Sequence, residues 1–127
     1  MTSFSPTPLH TELTHTTGYS VLALIGDLDA ATTVELRTQI DALTATGTRR
    51  IVLDLGPLRY ATTSGLYSLA EAHRTCRGAG VDLVMADPQP LVATALLLTD
   101  VTDDIACYDT VHAAGTADPD QLRRPGI

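Results

Sequence analysis

The chain has 127 residues, the length of one domain, and 44% of them are hydrophobic, enough side chains for a single core. Its 15 acidic residues outnumber the 8 basic ones for a formal charge of −7, a field that opposes DNA, RNA and anionic membranes, all of which attract basic patches. No nucleic acid and no membrane is therefore expected among its partners.

Residues 1–9 hold two prolines with serines and threonines and read as a tail. They carry neither the basic stretch nor the apolar core of an export signal. The longest apolar run anywhere is the five residues 21–25, against the roughly 20 needed to cross a bilayer as a helix. A weak strand is expected over 9–16 and a stronger one over 19–25, closed by Gly26-Asp27, with Thr17-Gly18 as the hairpin turn between them. Asp29 then stands where it can cap a helix over 30–46, with Leu36, Ile40 and Leu43 on one face and Gly47 as its stop.

The apolar run within 50–55 predicts a buried central strand that Gly56-Pro57 ends. A loop follows, then a helix from Thr63 or Ser64 whose inward stripe is Leu66, Leu69, His73 and Cys76, broken by Gly78 and Gly80. Residues 81–86 form a further strand, Pro90 opens a helix running to about Leu98, and a last strand is expected over 105–108. The stretch 115–127, GTADPDQLRRPGI, mixes Gly, Pro and charge without periodicity, so the folded body is placed at 10–113 and a flexible tail at 114–127. Cys76 and Cys107 form no CxxC and have no histidine at ligand spacing. They read as buried thiols of a reducing, cytoplasmic setting, with no disulfide, metal or cofactor implied.

The most informative segment is Thr62-Thr63-Ser64-Gly65, three hydroxyls and a glycine at a helix entrance. Free N–H groups and the helix dipole make that place favourable for a phosphate, and a hydroxyl there is open to a kinase. Helix capping by Thr62 or Thr63 explains the same residues more simply. Two other chemistries fit less well. A nucleophile elbow needs Gly-x-Ser-x-Gly, whereas Thr62 and Leu66 occupy the flanking positions here. Asp27 and Asp29, with Asp54 or Asp87, do not sit at spacings that force oxygen ligands to converge on a metal.

Four segments in order resemble the STAS domain family, and within it the single-domain anti-sigma-factor antagonists of bacteria. Gly26-Asp-Leu-Asp29 with Leu36-Arg37 is similar to the family's Gly-Glu-Leu-Asp and Leu-Arg. Ile51-Val-Leu-Asp-Leu55 followed by Thr62-Thr-Ser-Gly-Leu66 stands where the family has a strand and Asp-Ser-Ser-Gly-Leu. Gly80-Val-Asp-Leu-Val-Met-Ala-Asp-Pro88 and Leu96-Leu-Leu-Thr-Asp-Val101 resemble its later strand and its Leu-Thr-Gly-Leu helix end.

The resemblance implies an α/β fold, a mixed sheet of four to five strands with helices packed mainly on one face. It also implies a non-enzymatic regulator that binds an anti-sigma factor which is also a serine/threonine kinase, freeing a sigma factor. Phosphorylation by that kinase breaks the complex and a cognate phosphatase restores it. Residue by residue, the phosphoacceptor falls on Thr63, the next hydroxyl on Ser64 and the glycine on Gly65. The family's Asp before the acceptor is replaced by Thr62, which can cap the helix but carries no charge. Two readings stay open: a phosphorylation switch with altered partner choice, or a STAS module that binds a protein or ligand without the switch, for instance as a subunit of a larger sensory assembly.

The expected contact surface comprises Asp27, Asp29, Thr62, Thr63, Ser64, Gly65 and Val92. Val92 joins it because Leu91, Ala95 and Leu98 supply a buried stripe for the helix after Pro90, leaving Val92 apolar without a core role.

Overall fold

Residues 8–123 are described by a computed structural model. The Thr17-Gly18 turn forms as the sequence predicts, with Gly18 at φ +94°, and joins β1 (His10–Thr16) to β2 (Tyr19–Leu28) in an antiparallel pair running from His10↔Ile25 to Thr16↔Tyr19. Leu9, expected in the tail, is buried in the core. Nor does β2 end at Gly26-Asp27. Gly26, at φ +109°, lets the strand continue to Leu28, and its register against a new partner shifts between Gly26 and Asp27.

Helix α1 (Thr33–Thr44) buries Leu36, Ile40 and Leu43 as their spacing predicts, and Gly47 at φ +83° follows it. Then come β3 (Arg50–Asp54), β4 (Leu58–Ala61), α2 (Thr63–Gly78), β5 (Asp82–Ala86), α3 (Pro90–Leu97), β6 (Cys107–Tyr108) and α4 (Val111–Thr116). A 3-10 turn at Pro119–Gln121 leads into β7 (Leu122–Arg123). The sheet order is β1-β2-β3-β5-β6-β7, with β4 paired to β2 off that path.

The sheet is thus mixed, as expected, but it has seven strands rather than four to five. The additional ones include β4 and β7, of four and two residues, too short to show a two-residue period and set among Gly, Pro and charge. Backbone pairing alone marks them as strands. The stretch expected to be a flexible tail from 114 is likewise structured to 123: α4 extends to Thr116, and β7 pairs antiparallel with β6 through Cys107↔Arg123 and Tyr108↔Leu122. The tails expected at 1–7 and 124–127 lie outside the described residues.

Alternation along the strands sorts the core into two layers. Leu22, Leu24, Ile51, Leu53, Leu83 and Met85 share one cluster with Leu36 and Ile40 of α1, Leu66 and Leu69 of α2, and Val92 of α3. Their neighbours Val52, Val84, Ala86 and Tyr108 turn to the opposite face and meet Ala113 and Ala114 of α4. Three helices therefore cover one face and the short α4 covers part of the other. Half-buried His73 stands at the margin of the stripe that Leu66, Leu69 and Cys76 bury.

Arg50 and Ser20 tie polar side chains into this frame. Arg50 donates from Nε to the Ala114 carbonyl at 2.8 Å and pairs with Asp82, so a guanidinium from β3 satisfies the last turns of α4. Ser20 Oγ lies 2.8 Å from both His15 Nδ1 and Thr48 Oγ1. Among the described residues no helix is long and apolar enough to cross a membrane.

Candidate functional site at the entrance to α2

The end of β2 and the start of α2 are built on one residue, Leu28. Its carbonyl accepts the Thr62 N–H at 3.0 Å, and it pairs with Ala61 at the end of β4. Thr62 has extended backbone, φ −81° and ψ 172°, and its hydroxyl accepts the Gly65 N–H at 3.1 Å while its carbonyl accepts Leu66 N–H at 2.9 Å. Thr62 is therefore the N-cap, and α2 begins at Thr63 as the sequence predicts. Gly65 packs so closely that a Cβ there would run into the Leu28 carbonyl. No other residue lets the first turn of α2 rest on the end of β2.

This packing brings most of the expected residues together. Asp27 and Asp29 flank Leu28, and Thr62 and Gly65 touch it, while Thr63 and Ser64 project from the first turn and are exposed. Their hydroxyls stand where the unpaired N–H groups and dipole of a 16-residue helix favour negative charge.

Asp29 does different work from the capping expected of it. Asp29 does not cap the helix: its Oδ1 accepts the N–H groups of Ala31 and Thr32 at 2.9 and 3.1 Å, closing a turn before α1, which starts at Thr33 without a side-chain cap. The Thr32 hydroxyl donates in turn to the Asp27 carbonyl at 3.0 Å, so 27–32 is a tied loop. The Asp27 side chain is only 13% exposed, with Arg59 Nε at 3.5 Å from its Oδ1, an ion pair without hydrogen-bond geometry.

Val92 is not part of this surface. It is fully buried, with Ala95 and Leu96 partly buried beside it, while Leu91 and Leu98 face outward at 61% and 83% exposure. Of the expected inward stripe only Ala95 meets the core, and Val92 takes the buried place expected for Leu91 and Leu98. Six of the eight residues of α3 are Leu, Val or Ala, so periodicity names no inward side, and packing against β4 decides it. The start of α3 is nonetheless held near the site's strand, since Gln89 Nε2 donates to the Gly56 carbonyl at 2.6 Å.

Two residues of this surface were not anticipated. Tyr67, one turn beyond Thr63 on α2, is 56% exposed, and Tyr60 on β4 is 48% exposed. The signal for Tyr67 is in the sequence, because position 67 falls off the Leu66 and Leu69 stripe. Among the described residues no histidine hydrogen-bonds Thr63 or Ser64, and the His15–Ser20 contact lies at the other end of β2. Burial pushes the Cys76 thiol up to about 11. The Cys107 thiol also rises to about 11, chiefly through burial, with Arg123 opposing it. Both thiols stay protonated at neutral pH, and neither belongs to the site.

A family model described as STAS domain matches residues 10–114. Among solved structures, an anti-sigma factor antagonist from Mycobacterium paratuberculosis has a TM-score of 0.76 at 24% identity, covering 86% of this chain and 92% of that one. The anti-sigma factor antagonist SpoIIAA in its unphosphorylated form has a TM-score of 0.63 at 17% identity, covering 93% and 100%. Bacillus SpoIIAA in the phosphorylated form has 0.62 at 16%, covering 85% and 99%. The murine anion transporter Solute Carrier 26 family member A9 has 0.68 at 16%, with 91% of this chain matched to 23% of the transporter. At these identities the likeness is one of fold.

Proposed function

Because the chain belongs to the STAS domain family, we propose that it is a non-enzymatic, cytoplasmic anti-sigma-factor antagonist. It binds an anti-sigma factor that is also a serine kinase, and so frees a sigma factor. Thr63 is the phosphoacceptor, and a phosphatase restores the active form. The observation that carries this reading is the exposed pair Thr63 and Ser64 on the first turn of α2, beside the tied loop 27–32 and flanked by exposed Tyr60 and Tyr67. Aromatic side chains beside adaptable hydroxyls have the composition of a protein contact surface.

Phosphate on Thr63 adds roughly −1.5 to −2 charges and three acceptor oxygens. The dipole of α2 accommodates it, so the domain stays folded. A partner docked over the site must instead desolvate a dianion, which lowers affinity about a hundredfold or more. Release without unfolding is the consequence.

The test recovers the chain's partner from its own cell extract and adds ATP. Wild-type protein is expected to gain phosphate on Thr63, read by intact mass and peptide mapping, and to be released. Thr63→Ala stays bound. Phosphate on Thr62 or Ser64 moves the acceptor, and absence of phosphate means that Thr62 in place of the family's Asp has disabled the switch. The second reading, a module within a larger assembly, has one observation in its favour: the same fold occurs within a transporter four times longer than the matched segment. Recovery of a large scaffold in place of an ATP-binding kinase supports that alternative.

A further inference from the structure

A cavity of about 550 Å³ opens between α3, β6 and the segment joining them, and none of its lining residues belongs to the proposed contact surface. It is lined by Met85, Ala93, Leu96, Ile105, Cys107 and Leu122. Its size falls in the range of sites for small organic ligands, roughly 300–1,000 Å³. We propose that it binds an uncharged apolar molecule carrying one hydrogen-bonding oxygen, of the kind represented by a medium-chain alcohol.

The polar groups at the cavity argue for that chemistry. Only two polar residues are buried among those described, Ser20 and Thr102. Ser20 is satisfied by His15 and Thr48. Thr102, 4% exposed, lines the cavity, and no side-chain hydrogen bond among the described residues involves its hydroxyl; only its carbonyl is used, by Ile105 N–H at 3.0 Å. The hydroxyl itself is reached by solvent, and a ligand that brings its own oxygen into the apolar space takes the place of the water it would otherwise bond.

Charge then selects against an anionic head group. Asp103 and Asp104 stand at the rim, and among the described residues the one cation lining the cavity, Arg123, already donates from Nε to Asp109 Oδ1 at 2.7 Å. A fatty carboxylate there faces two rim carboxylates and a guanidinium already engaged by Asp109.

The chain has no Trp, so the neutral fluorophore N-phenyl-1-naphthylamine can be followed without overlap. Its emission is expected to rise with the full chain and to fall on adding 1-decanol, while decanoate competes at least tenfold more weakly. Ala93→Phe, which fills the cavity, should weaken the fluorophore at least tenfold. Thr102→Val should weaken decanol several-fold, whereas Leu91→Ser, on exposed apolar surface outside the cavity, should change nothing. Methyl resonances of the wild-type chain decide the matter even if Ala93→Phe does not fold: decanol should move Leu96, Ile105 and Met85. No fluorophore binding, equal competition by decanoate, loss of binding in Leu91→Ser, or methyl shifts confined to Leu91 and Leu98 would each overturn the proposal.

Discussion

A methyl group at position 65 would need the space that the Leu28 carbonyl occupies, and a backbone carbonyl held in a strand cannot swing aside as a side chain does. Gly65→Ala is therefore expected to cost about 1–3 kcal/mol of stability, the range for inserting atoms into a packed site. It should also shift the amide resonances of Leu28 and Thr62. Thr62→Ala removes only the cap to Gly65 N–H and should cost about 1 kcal/mol. Urea unfolding of both variants orders the two effects, and equal losses would mean that the capping bond, not the close approach, anchors α2. Thr62 as a cap is legible from the sequence because a hydroxyl followed by a helical pattern is a local signal. The closeness of Leu28 to Gly65 is not, since it joins residues far apart in the chain. Asp29 shows the opposite limit: its residue type announces local hydrogen bonding, but a turn and a helix cap ask for the same side chain.

Among the elements, α3 tests how far patterning reaches. Its near-uniform apolar composition leaves the inward face to be set by the surface it meets, and Val92 ends at 0% exposure. Val92→Glu should therefore destabilise the fold by more than about 3 kcal/mol, because a carboxylate would lie in an apolar layer without a partner. A melting temperature within a degree or two of wild type would return Val92 to the surface. By contrast α1 and α2, with 12 and 16 residues, hold enough turns for their stripes to be read directly. The short strands β4 and β7 carry no such signal, and their existence depends on the longer neighbours β2 and β6.

Over the whole molecule, two thiols respond to alkali together. Cys76 and Cys107 are held from 9.0 up to about 11 by burial. Between about pH 9 and 11 the unfolded chain therefore loses protons that the folded chain keeps, and stability falls as pH rises through that window. The melting temperature of wild type should decline there more steeply than that of a Cys76→Ala, Cys107→Ala double variant; parallel curves would assign the loss to other groups. The forked pairing of β2 has a consequence of another kind. Its early residues, Ser20 to Ala23, are held by β3, which is itself held by β5, whereas Gly26 to Leu28 are held by β4 through only three residue pairs. An opening fluctuation can unzip that short prong and leave the central ladder closed, so deuterium should enter the amides of Tyr60, Ala61 and Thr62 well before those of Val52 and Leu53. Simultaneous uptake would mean that the sheet breathes as one cooperative unit. In the expected order, the threshold of α2 loosens while the rest of the domain keeps its native protection.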